Sequence, residues 1–345
     1  MKVKVDASPA MPHQGTTLAS CLCALMQAVG RPEWTMARLQ GVLGHAFQFD
    51  MKEGGKHVNH DHFDWGPALD LLPEIVQFRT FMSSEQDGEV ELAALKQDAR
   101  DVVLAGLQQG IPALAWSPMS REIAASHHHG VCWGLIIGYD EADETYTIRH
   151  PFVDGPYDVR YDEIGHAEPE ESIWVIVYDR PSTADERETH LTALRNAVAY
   201  AHAKRYAEDD ERNANRRATP HGFAAYDVWQ QAFTSADVPV NGTHHHLEML
   251  MYRRVAAAAY VREIAGIFPE AAAQLEAAAV HYDLEMESLH PLHDLSDAAC
   301  DRQAWLAEER AKARHFIGAA MKSEREAIAS IEAALANLSS LRVLN

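Results

Sequence analysis

The sequence predicts an α+β amino-terminal domain with an antiparallel sheet, followed by an all-α helical bundle. Residues 1–181 alternate helix-like and strand-like segments and hold most of the Gly and Pro, whereas residues 182–345 are dominated by Ala, Glu and Arg in a helical pattern. The two textures meet at Arg180-Pro181-Ser182-Thr183-Ala184-Asp185, a polar, proline-containing connector. Within the first part helices precede strands, the order of an α+β domain with an antiparallel sheet. A chain of 345 residues has room for roughly two domains of about 150 residues each.

Residues 16–30 read as one buried helix, with a Thr of the Thr16-Thr17 pair supplying the N-cap oxygen and Gly30 at the C′ position. A second helix over residues 91–109 stops at Gly110. Residues 111–116 form a short apolar strand, and residues 130–139 a Val-, Ile- and Leu-rich strand ending in Gly138-Tyr139-Asp140. Residues 145–149 alternate like a strand packed on one face, and the apolar run 172–178 reads as a central strand. In the second part, helices are expected over residues 187–206, 223–233, 244–267, 270–289 and about 297–338, with a loop at 209–219. Phe223, Tyr226, Trp229 and Phe233 recur at three-to-four spacing and form one apolar stripe.

Composition narrows the function classes. Lys and Arg number 30 against 51 Asp and Glu, a net charge of −21, so a nucleic-acid partner, which needs clustered cations, is not expected. No apolar run is long enough to span a membrane, and residues 1–20 lack the apolar core of a secretory signal. Four cysteines, Cys21, Cys23, Cys132 and Cys300, are too few for a disulfide framework and read as reduced thiols of a cytoplasmic protein. The motifs call for no cofactor. Protonating all 20 His would bring the net charge to about −1, so the surface potential should change steeply between roughly pH 5 and 7.

Three short motifs stand in a telling order. His13-Gln14 precedes the helix that ends at Gly30; Gly110-Ile111-Pro112-Ala113-Leu114-Ala115 opens a strand; Leu135-Ile136-Ile137-Gly138-Tyr139-Asp140 closes another. Residues 13–178 thereby resemble the papain-like cysteine-protease superfamily, and most nearly its double-glycine-leader peptidases and the amino-terminal domain of the butirosin-pathway acyltransferase. The helical half, with Gly222-Phe223-Ala224-Ala225-Tyr226-Asp227-Val228-Trp229, also looks like the acyltransferase type. The resemblance implies a Cys nucleophile at the start of the first helix and a His on the strand before Gly-Tyr-Asp. It also implies an Asp or Asn before a Pro, and a Gln at the oxyanion. Gln14 fits the last role. Counting back from Gly30 and from Gly138, however, places Thr17 at the nucleophile position and Cys132 at the base position, and His150, before Pro151, stands where the orienting residue belongs.

The leading expectation is a papain-like protein whose Cys–His pair is lost or altered. It binds a small molecule or peptide in the inherited cleft, with Thr17, Trp116, Ser117, Cys132 and His150 as binding residues. The alternative is an active thiol acyltransferase or cysteine-peptidase-like amidohydrolase, with Cys21 as nucleophile, His129 as base and Gln14 at the oxyanion. Cys21 and Cys23 equally fit small buried hydrophobes of a core helix. A third class is a His/Cys metal-binding protein, built on Cys132 and His150 with His13 or Cys21. The segment His57-x-x-His60-x-His62, set among Gly54-Gly55, Asp61 and Asp64, reads as a metal loop, a flap or a solvated loop. Glu287 and His290 share a helix face, but a di-iron bundle needs a second such pair. His244-His245-His246 reads as an exposed helix start, and residues 290–293 as a helix-ending turn. The long Ala-rich carboxy-terminal helix is a candidate homodimer surface.

Overall fold

A computed structural model describes residues 1–9, 16–56, 65–84, 89–126, 132–165, 172–203 and 219–342. Its strands are β1 (Lys2–Lys4), β2 (Val76–Ser84), β3 (Ala113–Trp116), β4 (Trp133–Asp140), β5 (Thr145–Arg149), β6 (Tyr157–Arg160) and β7 (Ser172–Pro181). Among the described residues, the helices before or between them are α1 (Thr17–Ala28), α2 (Met36–Val42), α3 (Trp65–Ile75), α4 (Glu89–Gln108) and α5 (Arg121–Ser126). After them come α6 (Glu186–His202), α7 (Phe223–Ala232), α8 (Val240–Ala265), α9 (Ala272–Arg302) and α10 (Ala307–Arg342). No helix among the described residues is long and apolar enough to cross a membrane.

The chain divides into two compact units, Met1–Leu39 with Pro73–Thr183, and Gln40–Leu72 with Ala184–Asn345. A single cut near residue 182 assigns residues 40–72 to the first domain, whereas here they belong to the second. Phe49 and Met51 show why: both are buried in the apolar core of the helical unit. The Phe49 ring lies 4.7 Å from that of Tyr226 and 5.4 Å from that of Trp229. The backbone of this segment is tied in as well, with Gly222 N–H donating to the Phe49 carbonyl at 3.0 Å and Met51 N–H to that of Pro220 at 3.1 Å.

The first unit is α+β, built on a seven-stranded antiparallel sheet of order β2-β7-β3-β4-β5-β6, with β1 paired to β4. β3 pairs with Trp133–Ile136 and β1 with Gly138–Asp140, so the two share the length of β4. The expected apolar strand at 172–178 is β7, which lies inside the sheet and extends to Pro181. Val103 and Leu107 of α4 pack with Ala113, Ile136, Val175 and Val177. Leu114 and Leu135, which alternate with these along their strands, are also fully buried. Both faces of the sheet centre are therefore covered. α1, which packs against β3 and β4, is buried without interruption from Leu18 to Met26. Thr16 caps it by accepting from Ala19 N–H, and the left-handed Gly30, at φ 76°, follows its end. Gly110, at φ 82°, follows α4 in the same way.

In the helical unit, Phe223, Tyr226, Trp229 and Phe233 form the expected buried stripe. Two expectations fail. His244-His245-His246 is not an exposed helix start: α8 begins earlier, at Val240, and His246 is buried with Thr243, Leu247 and Leu250 on its core-facing stripe, while His244 and His245 are half-buried. α9 runs through Pro291 to Arg302 where residues 290–293 read as a turn, and α10 begins at Ala307 instead of near 297. A proline inside a helix costs about 3 kcal/mol, but Leu289 and Leu292 on either side are fully buried in the core, so packing carries the helix past it. The break comes at Gln303, whose φ of 57° is left-handed.

Candidate functional site

The site begins where α1 meets β4. With Thr16 as cap, Thr17 is the first helical residue, and its hydroxyl oxygen accepts from the Trp133 backbone N–H at 3.1 Å. Cys132 lies immediately before β4. Its carbonyl accepts from Ser117 N–H at 2.9 Å, so β3 and β4 remain bonded one step beyond their ladder. β5 pairs with β4 up to Arg149 opposite Leu135, and His150 follows. This register carries the imidazole along the edge of β4 to Cys132, with Sγ and Nε2 2.9 Å apart. Gly134 makes the passage possible: a Cβ there would meet the His150 ring at 3.2 Å and Pro118 at 2.7 Å.

The other ring nitrogen sets the chemistry. Nδ1 of His150 accepts from the Phe152 backbone N–H at 3.3 Å. A neutral ring then carries its proton on Nε2, facing the sulfur. Both side chains are buried. Burial pushes the Cys132 thiol well up from the ordinary thiol range, opposed by the Thr17 hydroxyl, which favours the thiolate. Cys21, one turn deeper on α1 and fully buried, is likewise raised, first by burial and then by the neighbouring Cys132. Tyr157 completes the group. Its hydroxyl donates to the Pro118 carbonyl at 3.2 Å, and burial raises it, with both thiols adding.

Thr17, Cys132 and His150 therefore meet, as the motif count implies, but with the sulfur moved to the strand. Cys21 lies in the dry interior of α1, where a thiolate is disfavoured. His13, Gln14, His57, His60, Asp61, His62, Asp64 and His129 lie outside the described residues. Ser117 is fully buried and contributes through its backbone; at φ 44° it is a non-glycine residue in left-handed conformation directly beside the site. Trp116 is half-buried and stacks edge-on to Trp133 at 5.6 Å, with Trp174 6.2 Å away. Tyr157 had no signal in the sequence, because β6 is only four residues long. In the helical unit, Glu287 and His290 both lie on α9, one turn apart. No protein-family model matches this chain, and no match is found among curated proteins.

Proposed function

We propose that the first unit is a papain-like domain whose altered Cys–His pair serves binding and not turnover, holding a small molecule or peptide against the rim formed by Trp116 and Trp174. The order of helix and strands supports the papain-like reading, as does the meeting of Thr17, Cys132 and His150 at the three positions where that superfamily keeps its catalytic residues. The observation that carries the function is the hydrogen bond from Phe152 N–H to His150 Nδ1. A general base at Nε2 needs a free lone pair there, and the imidazolium formed by proton transfer would turn an Nδ1–H against the Phe152 N–H. Burial acts in the same direction by keeping the thiol protonated. The half-buried tryptophans add apolar surface: Trp116 directly precedes Ser117, whose N–H bonds the Cys132 carbonyl, and its ring lies 6.2 Å from that of Trp174.

The 2.9 Å sulfur–imidazole contact favours a second reading, a thiol acyltransferase or amidohydrolase with Cys132, not Cys21, as nucleophile. Iodoacetamide labelling of the native chain, followed by peptide mass mapping, separates the two. Binding without turnover predicts that Cys132 reacts at least tenfold more slowly than the same thiol in unfolded chain. It also predicts no hydrolysis of an N-acetylcysteamine thioester, and quenching of tryptophan fluorescence by a bound ligand that Trp116→Ala weakens. Rapid labelling of Cys132 at neutral pH, with thioester hydrolysis abolished in Cys132→Ser, would establish the enzyme instead.

A further inference from the structure

Far from the thiol site in sequence, two helices of the second unit each present a histidine and a carboxylate one turn apart. His244 and Glu248 stand on α8, with Nε2 and Oε2 3.7 Å apart. His293 and Asp297 stand on α9, with Nδ1 and Oδ2 3.4 Å apart. Both pairs have i,i+4 spacing, which puts their side chains on one helix face. The imidazole ring centres of His244 and His293 are 5.3 Å apart. One ligand atom from each of His244, Glu248 and His293 falls within 4.8 Å of the others, the span of a single coordination sphere.

Asp297 lies on the other side of these rings. Its carboxylate is 3.5 Å from Nδ1 of His244 as well as 3.4 Å from Nδ1 of His293. Ser296 Oγ lies 3.3 Å from the same His244 nitrogen. A carboxylate facing Nδ1 favours a proton there and leaves the Nε2 lone pair outward, the device that orients metal-bound histidines. An ordinary surface ion-pair network does not require one acid to serve two imidazoles while a second acid faces the opposite nitrogen.

We propose that the facing turns of α8 and α9 form a site for one divalent transition-metal ion, with His244, His293 and Glu248 as ligands and Asp297 positioning both rings. Two imidazoles and one carboxylate suit Zn2+, Co2+, Ni2+ or Fe2+ and disfavour Ca2+ and Mg2+, which take oxygen ligands. All three side chains are half-buried, so water has access to the remaining coordination positions.

The test uses tag-free full-length protein, stripped with chelator and reloaded with Zn2+ or Co2+. The expected result is one tightly held Zn2+ per chain and a Co2+ visible absorption band, neither suppressed by excess Mg2+. His293→Ala and Glu248→Gln should each weaken Zn2+ at least tenfold, with unchanged circular dichroism. His245→Ala should bind as the wild type does, as should Cys300→Ser, whose thiol lies one turn beyond Asp297. Equal retention of Zn2+ by His293→Ala and Glu248→Gln would overturn the site and assign any bound metal to the other histidine runs. Loss of binding in His245→Ala or Cys300→Ser would overturn the ligand set.

Discussion

Each unit buries a polar cluster, and the two solve the desolvation problem in opposite ways. In the sheet unit, Thr17, Cys21, Cys132, His150 and Tyr157 are groups that can stay neutral, and burial holds the thiols and the phenol protonated. In the helical unit, Arg254 cannot discharge, so the fold brings acceptors to it. Its Nε lies 3.2 Å from both oxygens of Glu285 and 2.7 Å from Glu324, and Nη1 donates to the Ala46 carbonyl at 2.9 Å. Nη2 donates to the Tyr226 hydroxyl at 3.1 Å, and that hydroxyl donates to Glu285. A neutral cluster tolerates loss of a member at the cost of one or two hydrogen bonds. A charged one does not tolerate loss of its cation, because the acid left behind is an uncompensated ion.

The largest effect should therefore come from removing the cation. Arg254→Met leaves the two acids Glu285 and Glu324 without their cation in a fully buried site and should destabilise the helical unit by about 3–5 kcal/mol in denaturant melts. The triple variant Arg254→Met, Glu285→Gln, Glu324→Gln should recover much of that loss. Failure to recover would mean that hydrogen-bond geometry, and not bare charge, is what the cluster supplies. The sheet unit should answer to shape instead. Gly134→Ala sets a methyl against Pro118, the Arg149 carbonyl and the His150 ring, an overpacking that costs about 1–3 kcal/mol. A melt unchanged from wild type would show that the imidazole is free to swing away from Cys132.

What the sequence disclosed follows from the same physics. β3, β4, β5 and β7 were readable because strands covered by packing carry apolar or alternating runs, and they make up the middle of the sheet. β2 and β6 are its edges, and β1 has three residues, two of them Lys. Such strands take their pairing from a neighbour more than from their own pattern, so their sequences carry no strand signal. The motif count brought Thr17, Cys132 and His150 together, since spacing along α1 and β4 is a local property. It could not supply the Phe152 N–H on His150, nor Asp297 between two imidazoles, because both depend on distances no sequence pattern encodes. Pro291 misled for a related reason: a local breaker was overruled by Leu289 and Leu292 in the core.

A smaller, pH-dependent effect separates the clusters further. Glu324 is raised well above the ordinary carboxylate range, mainly by burial and against the pull of Arg254. A carboxyl whose folded value exceeds its unfolded one favours folding while protonated. That contribution is complete below the unfolded value near pH 4.3 and is lost as pH rises through the folded one. Glu324→Gln lacks this loss. Its stability should match or exceed wild type at pH 8, with the difference closing toward pH 4. A wild type that gains stability relative to the variant on going alkaline would show Glu324 to be ionised and held by Arg254.

The smallest effect belongs to the thiol, where the sign is the same and the pH window higher. Cys132 is raised by burial, so its neutral form favours folding below the ordinary thiol value near pH 8.5, and the contribution fades above that because the unfolded thiol ionises while the folded one keeps its proton. Cys132→Ala should lose stability less steeply than wild type on going alkaline. Thr17→Val removes a hydroxyl that favours the thiolate, and should move the ultraviolet thiolate transition of Cys132 to still higher pH. A transition in either protein below pH 7 would mean that His150 and the start of α1 outweigh burial. The sheet cluster would then hold charge as the helical one does, and the balance would tip from ligand binding to nucleophilic chemistry at Cys132.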